Sequence, residues 1–203
     1  MKNYKYTEQW FRHNDLSQFL PINTQQELHM LEIGSFEGES TVWFLENLLS
    51  NPKSTITCID PWTSYSQDSS SLSSYEKEGM EWDFTTHKNT FLHNIMESGV
   101  DGKVVVNQGY SNEELPKLIA QKEKYNIIFI DGNHVAPMVL MDAVMSFPLL
   151  ADNGIIIFDD YEWVNQHSQG PKLAIDSFIQ CFSDYFEIIW SHAGENRKAI
   201  KRK

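Results

Sequence analysis

The chain predicts an α/β fold: a doubly wound, mostly parallel sheet that ends in an antiparallel hairpin. Two observations carry this. Short runs rich in Val, Ile and Leu recur at 28–33, 54–59, 103–107, 126–130 and 154–158, and near-continuous apolar runs of this length suit strands buried on both faces. Segments of helical period separate them, which calls for right-handed crossovers between parallel strands. A third observation locates a ligand. Two of the runs stop at acids, Ile127-Ile128-Phe129-Ile130-Asp131-Gly132-Asn133-His134 and Ile155-Ile156-Ile157-Phe158-Asp159-Asp160-Tyr161, and open parallel sheets bind ligands just beyond the carboxyl ends of their strands.

Taken in order, residues 1–25 carry Trp10, Phe11 and Phe19 and are expected to form a helical cover over the sheet or pocket. Ser40 to Leu49 has Val42, Leu45 and Leu49 at helical spacing and stops before Asn51-Pro52. Residues 62–98 break the rhythm with a serine-rich stretch and then Tyr75, Trp82, Phe84 and Phe91. An insertion this long inside a small domain reads as a lid followed by a helix at 83–98, or as a surface insertion. Further helices are expected at Glu113 to Gln121, Pro137 to Leu149 and 171–183, and a hairpin from runs at 186–191 and 197–201 around Gly194-Glu195-Asn196.

The 203 residues suit a single domain, 1–203, and 41% hydrophobic content favours a globular chain. A net charge of -12 and a pI near 4.9 argue against nucleic acid or an anionic membrane as partner. The basic cluster Arg197-Lys198 and Lys201-Arg202-Lys203 reads as a solvated tail or edge strand. Cys58 lies in a strand pattern, as a buried structural thiol would; it and Cys181 show no zinc spacing. Met1-Lys2-Asn3-Tyr4 leads into no apolar signal core and no run approaches a membrane span, so the cytoplasm is the expected location.

Leu31-Glu32-Ile33-Gly34-Ser35-Phe36-Glu37-Gly38-Glu39-Ser40-Thr41 reads strand, tight turn, helix. Gly34 and Gly38 let the backbone turn and approach a ligand, and the helix start near Ser40 offers free N–H groups to an anionic group. Asp60 ends the next strand, where a carboxylate accepts hydrogen bonds from ribose hydroxyls. The loop is not G-x-G-x-x-G: Phe36 stands where the second glycine would be. That disfavours close passage of a pyrophosphate, and with it a nicotinamide-dependent oxidoreductase, and suits a cofactor without one.

In its order of motifs over residues 28–162 the chain resembles the class I S-adenosylmethionine-dependent methyltransferases, of Rossmann-like fold. Within that class it resembles the metal-dependent, catechol-type small-molecule O-methyltransferases. The resemblance implies S-adenosylmethionine as cofactor, with Glu32, Gly34 and Phe36 along its methionine end, Ser35 and Gly38 also in its binding loop, Ser40 on its carboxylate and Asp60 on its ribose. It places Gly109-Tyr110-Ser111 beside the adenine and turns Asp131 to both cofactor and metal.

Asp131, Asp159 and Asp160 offer carboxylate oxygens to a hard cation such as Mg2+. In the similar enzymes the last ligand is commonly Asn; Asp160 adds a charge here. His134 follows where those enzymes commonly carry a lysine base, and resembles some sugar-modifying O-methyltransferases. Its ordinary pKa of about 6.5 suits it to take a hydroxyl proton. The same acids are also turn-forming residues, so a metal-independent methyltransferase with His134 as base stays open, as does a non-catalytic protein that keeps the fold. The expected partner is a small-molecule acceptor with a sugar, polyketide or phenolic hydroxyl. Tyr161, Trp163 and His167 are candidates to contact it, and Trp62, Tyr65 and Trp82 to close over it. Exposed aromatics leave room for a homo-oligomer.

Overall fold

The computed structural model describes residues 2–11, 16, 20–63, 84–164, 170–191 and 196–203. Its centre is a sheet of seven strands in the order β3-β2-β1-β4-β5-β7-β6. These are β1 (His29–Ile33), β2 (Thr55–Asp60), β3 (Val104–Gln108), β4 (Tyr125–Ile130), β5 (Leu150–Phe158), β6 (Phe186–Ser191) and β7 (Lys198–Arg202). The first five run parallel, and β7 lies antiparallel between β5 and β6. Helices α1 (Glu39–Asn47), α2 (Phe84–Ser98), α3 (Ser111–Gln121), α4 (Ala136–Ser146) and α5 (Pro171–Cys181) connect them.

Strand alternation splits the core in two. Met30, Ile56, Phe129 and Ile157 face α1 and α2, packing with Phe44 and Phe91. Leu31, Ile128, Ile130, Ile156 and Phe158 face α3, α4 and α5, packing with Leu115, Val139 and Phe178. Each central strand therefore has two apolar faces, which is why its sequence runs apolar without a break. The register pairs Ile33 with both Ile59 and Ile130, and Ile130 with Phe158. Gly34, Asp60, Asp131 and Asp159 thus leave the sheet side by side at its carboxyl edge. The chain winds outward from β1 to β3 and resumes on the other side at β4, so the crevice lies where the winding reverses.

Three expectations change. Residues 2–11 and 20–25 contain no helix, although Leu16 is helical. Instead, residues 2–11 lie along α1 and α2 as an irregular strap. Thr7 N–H and Oγ1 donate to Glu37, the Phe11 N–H to Glu39 and the Lys5 N–H to Asn94. Second, the basic C-terminal cluster is neither tail nor edge. β7 has a neighbour on each side, and Arg197 and Lys198 are buried, because each finds an acid, Asp159 and Asp176. Third, Trp62 is no lid residue; it is 4% exposed and packs its ring on Phe91 of α2. Tyr65, Trp82, the serine-rich stretch, Phe19, His167 and the hairpin residues Gly194 and Glu195 lie outside the described residues. Among the described residues no helix is long and apolar enough to cross a membrane.

Candidate active site

The loop after β1 is built around two acids. Gly34 sits at φ 87°, and a Cβ there would lie 2.1 Å from the Asp131 carbonyl oxygen; only glycine lets the first loop pass the second so closely. Gly38, at φ 82°, starts α1 with no side-chain cap, and helix starts of this kind favour anionic groups. A Cβ on Gly38 would meet the Phe91 ring at 3.0 Å. Asp60 shapes the turn from across the crevice. Its Oδ2 accepts the Ser35 and Phe36 N–H groups at 3.0 and 2.9 Å, and its Oδ1 the Trp62 N–H at 2.8 Å. Burial pushes its carboxyl up from the ordinary range, and these amide bonds hold it down. The Trp62 indole donates to the Phe36 carbonyl at 2.7 Å. Phe36, at φ 45°, turns its ring out between Trp10 and His87, with centroids 5.5 and 4.4 Å away.

Glu32 is wholly buried beneath this loop. It accepts hydroxyls from Ser35 at 2.7 Å, Ser40 at 2.5 Å and Thr41, with the Cys58 thiol at 3.4 Å. Burial raises its pKa and the hydroxyls oppose that. The Glu32 side chain and the Ser40 hydroxyl face each other inside the protein and brace the loop from within. Gly109 N–H donates to the Asp60 carbonyl at 3.1 Å, Tyr110 precedes α3, and the Ser111 side chain turns inward to buried Asp142.

Asp131, His134 and Asp160 converge. One ligand atom from each lies within 4.8 Å of the others. His134 Nε2 is 3.0 Å from Asp160 Oδ2 and 3.6 Å from Asp131 Oδ1. Asp131 and Asp160 keep 28% and 27% of their side-chain surface exposed, so an ion from solvent can reach them; His134 keeps 11%. Its ring packs on Trp163 at 4.8 Å. Burial disfavours the imidazolium, but the hydrogen bonds and charges of Asp131 and Asp160 outweigh it and push His134 up to about 10. Burial and the neighbouring charges of Asp159 and Asp160 raise Asp131.

Asp159 stands apart from this trio. Its Oδ2 meets the Arg197 guanidinium at 2.6 Å, with both side chains about nine-tenths buried. His134 takes the third place in the cluster that the sequence assigned to Asp159, because the adjacent acids leave β5 in different directions. Asp160, at φ 52°, turns back toward β4. Asn196 and Arg197, which hold the two acids, escaped sequence reasoning. The basic run looked solvated, and its only inward signal was the apolar pair Ala199-Ile200.

Residues 31–161 match the family described as Methyltransferase domain. An uncharacterized protein of Acanthamoeba polyphaga mimivirus is 28% identical over 182 residues, 87% of this chain and 73% of that one. Among solved structures, the O-methyltransferase TomG from Streptomyces achromogenes, involved in tomaymycin synthesis and in complex with SAM, superposes with a TM-score of 0.61 at 17% identity, over 88% of this chain and 74% of that one. An O-methyltransferase from Bacillus cereus in complex with SAH gives 0.60 at 17% identity, over 86% and 74%. These likenesses are of fold.

Proposed function

The chain belongs to the methyltransferase-domain family, and from that premise we propose that it is an S-adenosylmethionine-dependent O-methyltransferase acting on a small-molecule hydroxyl with the aid of a divalent cation. The acceptor is of the sugar, polyketide or phenol kind. The observation that carries the reading is the convergence of Asp131, His134 and Asp160 beside the Gly34 loop. A cofactor with an amino-acid end fits a glycine turn at a helix start with no side-chain cap, and two open carboxylates fit a hard cation. S-adenosylmethionine supplies an electrophilic methyl, and a cation such as Mg2+ supplies charge that lowers the pKa of a nearby hydroxyl. Asp131 and Asp160 would hold the cation. With a cation there, His134 would no longer serve as their counter-charge and would be available to take the acceptor proton at Nε2. Trp163 packs on the imidazole and walls the acceptor side. The rest of catalysis is positioning and electrostatics.

A second reading has its own observation. His134 already neutralises the acids at 3.0 Å from Asp160, which a metal-independent enzyme would also need. Calorimetry separates the readings. Binding of S-adenosylmethionine but not NADH, tightened or accompanied by Mg2+ binding, supports the first. Binding indifferent to Mg2+, with turnover unchanged in excess chelator, favours the second. No binding of S-adenosylmethionine in either condition overturns both.

A further inference from the structure

Asp160 is held in an uncommon state. It is not glycine, yet its φ is 52°, a left-handed backbone that is uncommon outside glycine although Asp adopts it more readily than most. The turn is held by one residue at the start of the neighbouring strand, which pairs Lys198 with Phe158. Asn196, just before β7, donates its Nδ2 to Asp160 Oδ1 and accepts the Glu162 N–H on Oδ1 at 2.7 Å. Its backbone carbonyl accepts the Tyr161 N–H at 2.8 Å. The turn closes on itself through the Trp163 N–H to the Asp160 carbonyl at 2.8 Å and the Asp160 N–H to Asp159 Oδ1 at 2.9 Å. One Asn thus ties three successive residues of the turn. With Oδ1 of Asp160 occupied, Oδ2 is the oxygen turned to His134 at 3.0 Å.

We propose that Asn196 is the positioning residue of the acid cluster, setting the orientation of Asp160 and hence the cation affinity of the site. The next residue divides the labour: Arg197 neutralises Asp159, so the two acids differ in role although adjacent in sequence. This inference rests on the metal-assisted reading above. Partners that orient a ligating carboxylate from behind are typically worth about 10–100-fold in metal affinity.

The test is Mn2+ titration of the full chain, followed by calorimetry, with S-adenosylmethionine affinity as the control for an intact cofactor loop. Asn196→Ala is expected to weaken Mn2+ about 10–100-fold and to leave S-adenosylmethionine affinity unchanged. In an Asp160→Ala background the same substitution is expected to cost nothing further, because Asn196 acts through Asp160; a merely structural residue would cost the same in both. Should Asn196→Ala fail to fold, Asn196→Ser, which is too short for the Asp160 bond, is the variant to titrate, with the same fall expected. Mn2+ affinity unchanged by the substitution overturns the inference alone. Failure of the parent protein to bind Mn2+ overturns it together with the metal-assisted reading.

Discussion

At the scale of single residues, the crevice depends on buried acids that never face it. Glu32 gathers the Ser35, Ser40 and Thr41 hydroxyls in a space closed to water. Removing an acceptor from a buried cluster leaves each donor unsatisfied, at about 1–3 kcal/mol apiece. Glu32→Ala is therefore expected to lower stability by at least about 3 kcal/mol and to weaken cofactor binding by loosening the loop. Glu32→Gln keeps an acceptor and is expected to lose much less. Urea unfolding of the two variants checks this; because Gln keeps the volume of Glu, equal losses would mean that both carboxylate oxygens, not one acceptor, are needed. None of this was legible beforehand. The pattern Leu31-Glu32-Ile33 announces a strand with an acid in it, but which hydroxyls meet that acid depends on how the loop folds back over eight or nine residues.

At the scale of elements, much more could be read. The central parallel strands and the helices between them follow from apolar runs and helical spacing, because strands covered on both faces leave a local signature; the run 103–107 reads the same way, yet β3 is an edge strand with Val105 and Val106 exposed. The strap of residues 2–11 was misread because its partners are remote: Glu37, Glu39 and Asn94 satisfy its backbone from 28 to 89 positions away. Its aromatics, Trp10 and Phe11, suggest a packing helix, yet the irregular segment packs Phe11 on the core and leaves Trp10 half exposed against Phe36. The junction of α3 and α4 supplies a pH test. Asp142 of α4 is 1% exposed, meets Ser111 at the start of α3, and burial pushes it up to about 7. An unfolded Asp titrates near 3.9. Between these values the folded chain holds a proton that the unfolded chain has lost, so stability falls as pH rises from about 4 to about 7 and stays low above. Asp142→Asn carries no charge to bury. It is expected to match the parent near pH 4 and to gain on it steadily to about pH 8, by an amount on the order of 4 kcal/mol. Thermal melts across that range check the sign; a constant offset between the two proteins would place the proton elsewhere.

At the scale of the whole molecule, the N-terminal strap and the start of β7 meet near the sheet edge where the acids emerge. Phe11 of the strap packs edge-on against Phe44 and Phe129, and the Arg197 guanidinium lies 4.8 Å over its ring. Arg197 in turn holds Asp159 at the end of β5. The strap, the start of β7 and the acid edge thus form one packed unit around a buried ion pair. Such a pair is weak evidence for stability in itself, because desolvation offsets much of the attraction, but breaking it leaves a bare buried charge. Arg197→Leu is expected to cost about 3–5 kcal/mol, and Asp159→Leu a comparable amount, while the double variant is expected to recover most of the loss. The three variants form a cycle measurable by urea unfolding. Strong recovery in the double variant means that Asp159 serves the fold through Arg197 and leaves the cation to Asp131 and Asp160, with His134 beside them. Additive losses would mean that Asp159 and Arg197 each hold something else, and would return Asp159 to the set of candidate ligands that the sequence first suggested.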